Sequence, residues 1–174
     1  MNLILLGGNH KSNKEWIEDV EKAVRHMFES TKIQYYDHWE EKAGNIDLNL
    51  ELKNLISNSK RVKNLVIFAK SAGTILTLQC IFEKTILPEK CIFVGTAINW
   101  GKACGYDLDR WIENFSVPTL FIQKREDPAI SYNDLQNYLF SKGVKSFKMV
   151  RLAGSDHSYN DVKEFARHIR DFIS

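Results

Sequence analysis

Short apolar runs alternate along this chain with longer stretches in which apolar residues recur every three to four positions. The short runs predict buried strands, at residues 3–6, 33–36, 65–69, 91–94, 119–123 and 147–152. The longer stretches predict amphipathic helices, at residues 12–28, 48–56, 72–82, within 106–115, 132–140 and 160–173. Continuous apolar strands that alternate with amphipathic helices indicate an α/β domain with a parallel sheet covered on both faces.

The length of 174 residues predicts a single domain, residues 1–174, that is large enough to bury a substantial core. Right-handed crossovers would place the carboxyl end of every strand at one edge of the sheet, where functional sites assemble. Residues 95–105 carry no helix or strand prediction, and a small flap over such a site fits there. At the start of the first helix, Ser12 and Glu15 have the spacing of a capping box.

Composition excludes several classes of function. Apolar residues make up 44% of the chain, charged residues 26%, and the formal net charge is +2, which predicts neither a nucleic-acid nor a membrane partner. No apolar run approaches the roughly 20 residues that span a bilayer, and the N-terminal apolar run suits a first strand better than a signal peptide. Three widely spaced cysteines, Cys80, Cys91 and Cys104, fit a reducing compartment, so we expect a cytoplasmic protein.

The third apolar run leads directly into Lys70-Ser71-Ala72-Gly73, and three interpretations of Ser71 compete. A phosphate-binding loop would need glycine-rich residues between the strand and the Lys-Ser pair, and this chain has none there. A simple helix N-cap accounts for a serine at this point, but not for the small residues around it. A nucleophile elbow requires small residues two positions before and after the serine, and Ala69 and Gly73 meet that requirement.

Partners for a nucleophilic serine follow in the chain order Ser, acid, His. Glu126 and Asp127 come just after the fifth predicted strand, and His157 comes just after the sixth. We predict that His157 is the general base and that Asp127 orients it, because Pro128 suggests a fixed turn beside that carboxylate. Glu126 stays open as the alternative acid. Asp156 is a poor one, because a neighbour in sequence usually points away from the ring.

An oxyanion hole needs two backbone N–H donors, one from the residue after the nucleophile and one from the loop after the first strand. Ala72 and Asn9 are the predicted donors. Residues that follow other strands, or that follow the oxyanion loop, are predicted to border a substrate pocket, with simple packing as the alternative for each: Gly8, His10, His38, Asn99 and Trp100. The histidines do not form a metal-binding signature such as His-Glu-x-x-His, so no metal site and no cofactor are predicted.

With these motifs assembled, the chain resembles the α/β-hydrolase superfamily, especially its small serine hydrolases without a large lid, over nearly its whole length. The segments that carry the resemblance are LLGGNH, FAKSAGT, QKREDP and GSDHSY. Ala69 replaces the first glycine of the elbow, and Gly7 stands where many members have histidine. The resemblance implies a minimal, doubly wound form of that fold. It would have a mostly parallel six-stranded sheet in the order 2-1-3-4-5-6, without the first two strands of the family.

The predicted function is hydrolysis of a small-molecule ester, thioester or amide through an acyl-enzyme on Ser71. Two other functions stay open. A catalytically silent protein of the same fold could act as a binding module, and a flavodoxin-like domain could bind a nucleotide. The acyl group and the oligomeric state cannot be read from the residues.

Overall fold

The computed structural model describes residues 1–40 and 44–174, and its centre is one sheet of six parallel strands. The strands are β1 Asn2–Leu6, β2 Ser30–Gln34, β3 Leu65–Lys70, β4 Lys90–Val94, β5 Thr119–Lys124 and β6 Phe147–Leu152. Their order across the sheet is β2-β1-β3-β4-β5-β6, and every neighbouring pair is parallel. The predicted strand order is therefore confirmed.

Within the described residues, seven α-helices connect and cover the strands. They are α1 Asn13–Val24, α2 Leu48–Ser59, α3 Ala72–Phe82, α4 Ile98–Ala103, α5 Leu108–Trp111, α6 Tyr132–Ser141 and α7 Val162–Ile173. Helix α1 packs against α7, whereas α3 packs against α2 and α5, so helices lie on both faces of the sheet. Every residue of β3 is buried because this central strand is covered on both sides.

Three local expectations need correction. Ser12 precedes α1, but its side chain makes no capping hydrogen bond; its hydroxyl lies 2.8 Å from Nδ1 of His10 instead. The second strand is Ser30–Gln34 and not residues 33–36, and Tyr36 lies buried beyond its end. The segment from residue 95 to 105, where a flap was expected, contains the short helix α4.

The sharp connection between β3 and α3 depends on glycine at position 73. The Gly73 N–H donates to the carbonyl oxygen of Gly7, the first residue after β1, over 3.2 Å. A Cβ atom at Gly73 would lie 2.8 Å from that oxygen, closer than a side chain tolerates. The absence of a side chain therefore lets the start of α3 pack directly onto the loop after β1.

Candidate active site

Ser71 occupies the turn between β3 and α3 in a strained backbone conformation. Its φ is +53° and its ψ is −118°, a region that residues with side chains rarely adopt and that costs about 1–3 kcal/mol. Although Ser71 is at the N-cap position, its side chain makes no hydrogen bond to α3. The hydroxyl is directed elsewhere, so helix capping does not explain this serine.

The Ser71 hydroxyl faces His157, which lies in the loop between β6 and α7. Ser71 Oγ is 2.9 Å from His157 Nε2, and His157 Nδ1 is 2.9 Å from each carboxylate oxygen of Asp127. An ionised carboxylate only accepts hydrogen bonds, so the proton belongs on Nδ1 and Nε2 is free to accept from Ser71. The three predicted residues thus form one continuous hydrogen-bonded chain from three different loops.

Asp127 is 3% exposed, and further donors hold its carboxylate in place. The N–H of Ala129 donates to Oδ1 over 2.8 Å, and the Tyr159 hydroxyl donates to Oδ2 over 2.6 Å. Burial, reinforced by the charge of Asp127, raises the pKa of the Tyr159 phenol, which therefore stays a neutral donor. The Tyr159 oxygen in turn accepts from the Lys124 N–H over 3.0 Å.

The two alternative acids face away from His157. Glu126 is exposed and pairs with the Arg125 guanidinium at 3.0 Å. Asp156 pairs with the Lys124 ammonium at 3.0 Å, and that hydrogen bond is the main reason why the pKa of Asp156 is lowered to about 2. Of the three carboxylates considered from sequence, Asp127 is the one in contact with His157.

Of the two predicted oxyanion donors, Ala72 directly follows Ser71, and Asn9 lies in the loop after β1. Ala72 is the first residue of α3, and within residues 1–40 and 44–174 neither its N–H nor that of Asn9 has an acceptor. Two contacts fix the position of Asn9. Its Oδ1 accepts from the Ile46 N–H over 2.7 Å, and its carbonyl oxygen lies 2.6 Å from His38 Nε2. Both N–H groups are therefore without a hydrogen-bond acceptor among the described residues.

A cavity of about 670 Å³ opens beside Ser71 and His157. Of the residues predicted to border a pocket, His10, Asn99 and Trp100 line it, the last two from the start of α4. Gly8 and His38 do not, which corrects the expectation for both. Gly8 is buried and its carbonyl oxygen accepts from Trp39, whereas His38 stacks on Tyr36 and supports the Asn9 loop from the interior.

Several lining residues were not anticipated from the sequence. Lys70, Asn13, Trp16 and Tyr159 all contribute to the cavity wall. A signal existed for Lys70, because a cation that ends a fully apolar strand immediately before the nucleophile is out of place in a buried segment. No such signal marked Asn13 or Trp16. Both belong to the first turn of α1, and they lie at the site only because of the way in which that helix packs in the folded chain.

Removal of the Tyr159 hydroxyl should weaken the support of Asp127. We expect Tyr159→Phe to lower kcat about tenfold with little change in KM, because a hydrogen bond to a charged group is lost while the lining ring is kept. Steady-state kinetics on a chromogenic ester would measure both constants. Tyr35→Phe, which removes an exposed hydroxyl bonded to Glu18, is the matched control. A rise in KM with kcat unchanged would assign Tyr159 to substrate contact instead.

Comparison with known proteins identifies the architecture. No protein-family model matches this chain, and no curated protein matches its sequence. Among solved structures, Est1E from Butyrivibrio proteoclasticus with ferulic acid bound is similar, with a TM-score of 0.75 and 15% identity over 99% of this chain and 87% of that one.

Two further structures share this similarity. One is a predicted CIB-like hydrolase from Thermoplasma acidophilum, with a TM-score of 0.74 and 17% identity over 99% of this chain and 85% of that chain. The other is a monoacylglycerol lipase from Paleococcus ferrophilus, with a TM-score of 0.69 and 12% identity over 99% and 93%. At sequence identities this low, the similarity shows a shared backbone fold. Together with the strand order and the elbow, it establishes that this chain has the α/β-hydrolase fold.

Proposed function

We propose that this protein is a serine hydrolase that cleaves an ester, thioester or amide bond of a small molecule. The observation that carries the proposal is the hydrogen-bonded chain from Ser71 Oγ through His157 to Asp127, with both links at 2.9 Å. A serine hydroxyl becomes a useful nucleophile only when a base removes its proton, and this arrangement supplies one. The fold of the chain supports the proposal, because its structural neighbours include an esterase, a lipase and other hydrolases.

In the first half of the proposed reaction, Ser71 Oγ attacks the carbonyl carbon of the substrate while His157 Nε2 takes its proton. Asp127 holds the imidazole in the required tautomer and stabilises the imidazolium that forms. The negative charge that develops on the carbonyl oxygen is stabilised by the N–H groups of Ala72 and Asn9. His157 then gives its proton to the leaving group, and Ser71 is left as an acyl ester.

In the second half, water enters beside His157, which removes its proton as the oxygen attacks the acyl carbon. The same two N–H groups stabilise the second oxyanion, and the proton returns to Ser71 Oγ as the acid departs. The strained backbone of Ser71 supports this role. It presents the hydroxyl at the tip of the turn, where His157 and the cavity both reach it.

Covalent labelling with a fluorophosphonate probe tests the proposal directly. We expect one adduct per chain, located by peptide mass spectrometry on Ser71, because the probe reacts with serines activated by a neighbouring base. The Ser71→Ala variant should not be labelled. Ser141→Ala removes an exposed hydroxyl at the end of α6 and should be labelled like the wild type.

Absence of an adduct on folded wild-type protein would contradict the proposal. The rival function would then be a binding module that retains the hydrolase fold without its chemistry. A nucleotide-binding function has less support, because β3 passes into α3 at Ser71 without a loop that could wrap a phosphate.

A further inference from the structure

Lys70 is a buried cation whose role the proposed reaction does not explain. The residue is 8% exposed, and its ammonium donates to Asn13 Oδ1 over 2.8 Å. The orientation of the Asn13 amide is set by its own NH₂ group, which donates to the His10 carbonyl oxygen over 2.7 Å. The Trp16 ring lies on another side, with its centroid 5.0 Å from the Lys70 nitrogen. All of these contacts are with neutral groups.

A buried charge is normally paired with an opposite charge, because its removal from water is otherwise costly. Among the described residues, Lys70 forms no ion pair with a carboxylate. Asp127 is near enough to act on Lys70 through its charge, but its oxygens are occupied by His157, Ala129 and Tyr159. The ammonium therefore has donors left for a further partner.

The wall around Lys70 contains apolar and polar groups, but no acidic residue. Lys70 lines the same cavity as Ser71, and its two contacts, Asn13 and Trp16, line it as well. The other polar groups of this wall are amides, hydroxyls and imidazole rings, from Asn9, His10, Ser12, Ser71, Asn99, His157, Ser158, Tyr159 and Asn160. Of the described residues that line the cavity, none is Asp or Glu, so nothing in the wall would repel an anion.

We infer that the substrate carries a carboxylate, and that this carboxylate binds the Lys70 ammonium on the side of the cavity formed by Asn13 and Trp16. The inference rests on the proposed function and names the class of substrate for the same site. A carboxylate would supply the charge that the cavity wall lacks, and the resulting N⁺–H···O⁻ bonds would be stronger than those between neutral groups. Lys70 is one residue from the nucleophile, so the bound anion would fix the distance between the carboxylate and the reacting carbonyl.

The titration of Lys70 adds a dependence on pH. Burial lowers the pKa of Lys70 to about 8, opposed by Asp127 and assisted by the positive charge of Lys124. The ammonium is therefore present below that pH and is lost as the pH rises through it. The other titratable groups that line this wall are His10, His157 and Tyr159. We expect the preference for a charged ester to decline above about pH 8.

Matched esters provide the test. We would compare the mono-p-nitrophenyl ester of glutaric acid with the same compound in which the free carboxylate is a methyl ester, after subtraction of spontaneous hydrolysis. The wild type is expected to favour the charged ester in kcat/KM by about tenfold or more, and Lys70→Met should reduce that ratio by about tenfold. Lys70→Arg, which keeps the charge, should retain more of the preference than Lys70→Met.

Lys11→Met is the control for general electrostatics, because Lys11 is an exposed lysine in the loop before α1 that does not line the cavity. It should leave the ratio at the wild-type value. The inference would be overturned if the wild type did not favour the charged ester. An equal loss of kcat/KM for both esters in Lys70→Met would overturn it too. Lys70 would then act through the interaction of its charge with Asp127, and not by binding the substrate carboxylate.

A binding measurement separates failure of this inference from failure of the proposed function. Monomethyl glutarate and dimethyl glutarate would be titrated by NMR into Ser71→Ala and into the double variant that also carries Lys70→Met. The inference is supported if Ser71→Ala binds monomethyl glutarate but not dimethyl glutarate, and if the double variant binds neither. That result would hold whether or not Ser71 is labelled by fluorophosphonate. Labelling of wild-type Ser71 without preferential binding of the monoanion would overturn the inference and leave the hydrolase proposal intact.

Discussion

Replacement of Ser71 by alanine is expected to lower the turnover of an activated ester by at least roughly 10⁴-fold, because the members of a catalytic triad act as a unit. The loss should fall on kcat, since the cavity and the two proposed oxyanion donors are left in place. The variant also removes a hydroxyl from a strained turn, which alanine can occupy at similar cost. Single-turnover and steady-state kinetics with p-nitrophenyl butyrate would measure the change.

Ser141→Ala serves as the paired control for this experiment, and its turnover should match that of the wild type. Thermal unfolding monitored by circular dichroism would show whether Ser71→Ala is folded. A folded Ser71→Ala protein that keeps wild-type turnover would refute the assignment of Ser71 as nucleophile. It would also direct attention to the other serine hydroxyls of the cavity wall, those of Ser12 and Ser158.

Asp127→Asn is expected to lower kcat by about 10⁴-fold while the fold is retained, since the two side chains have nearly the same shape. The amide NH₂ of the variant can donate to His157 Nδ1, where the carboxylate of the wild type only accepts. The ring proton would then move to Nε2, which faces Ser71 at 2.9 Å and could no longer accept the serine proton. The pH dependence of kcat should therefore change along with its magnitude.

Glu126→Gln is the matched control because it removes the same charge from the neighbouring position. Glu126 is exposed and bonded to Arg125, so its replacement should change kcat by less than about twofold, as is usual for a surface ion pair. If Glu126→Gln were the variant that lost activity and Asp127→Asn were not, the orientation of this loop in solution would differ from the one described here. The pair of variants thus tests the choice between the two acids directly.

Much of the scaffold could be predicted from local pattern. Apolar runs indicated where all six strands lie, because a strand covered on both faces is apolar over most of its length, as β3 is from Leu65 to Ala69. The order of the strands came from the resemblance to a known superfamily, since periodicity is silent on which strands are neighbours. The errors concern ends and caps: β2 begins three residues earlier than predicted, and the Ser12 side chain bonds to His10 and not to the helix. Such details depend on competing partners from outside the segment.

The candidate nucleophile, base and acid could be found because each follows a strand, and parallel strands bring their carboxyl ends to one edge. The choice between Glu126 and Asp127 could not be made in the same way. Both residues belong to one short turn, and its backbone geometry directs one carboxylate inward to His157 and the other outward to Arg125. The sequence supports either acid equally except for the neighbouring Pro128.

The amino-acid order alone thus determines an α/β chain with a serine turn, an acid loop and a histidine loop in a chemically meaningful succession. The surroundings of those residues are decided by packing between distant segments. Lys70 meets Asn13 across 57 positions of sequence, and Tyr159 meets Asp127 across 32. His38 supports Asn9 from behind the cavity and does not line it. The direction in which a side chain points depends on how the helices pack on the sheet. This packing is determined by the whole close-packed core and not by any one segment.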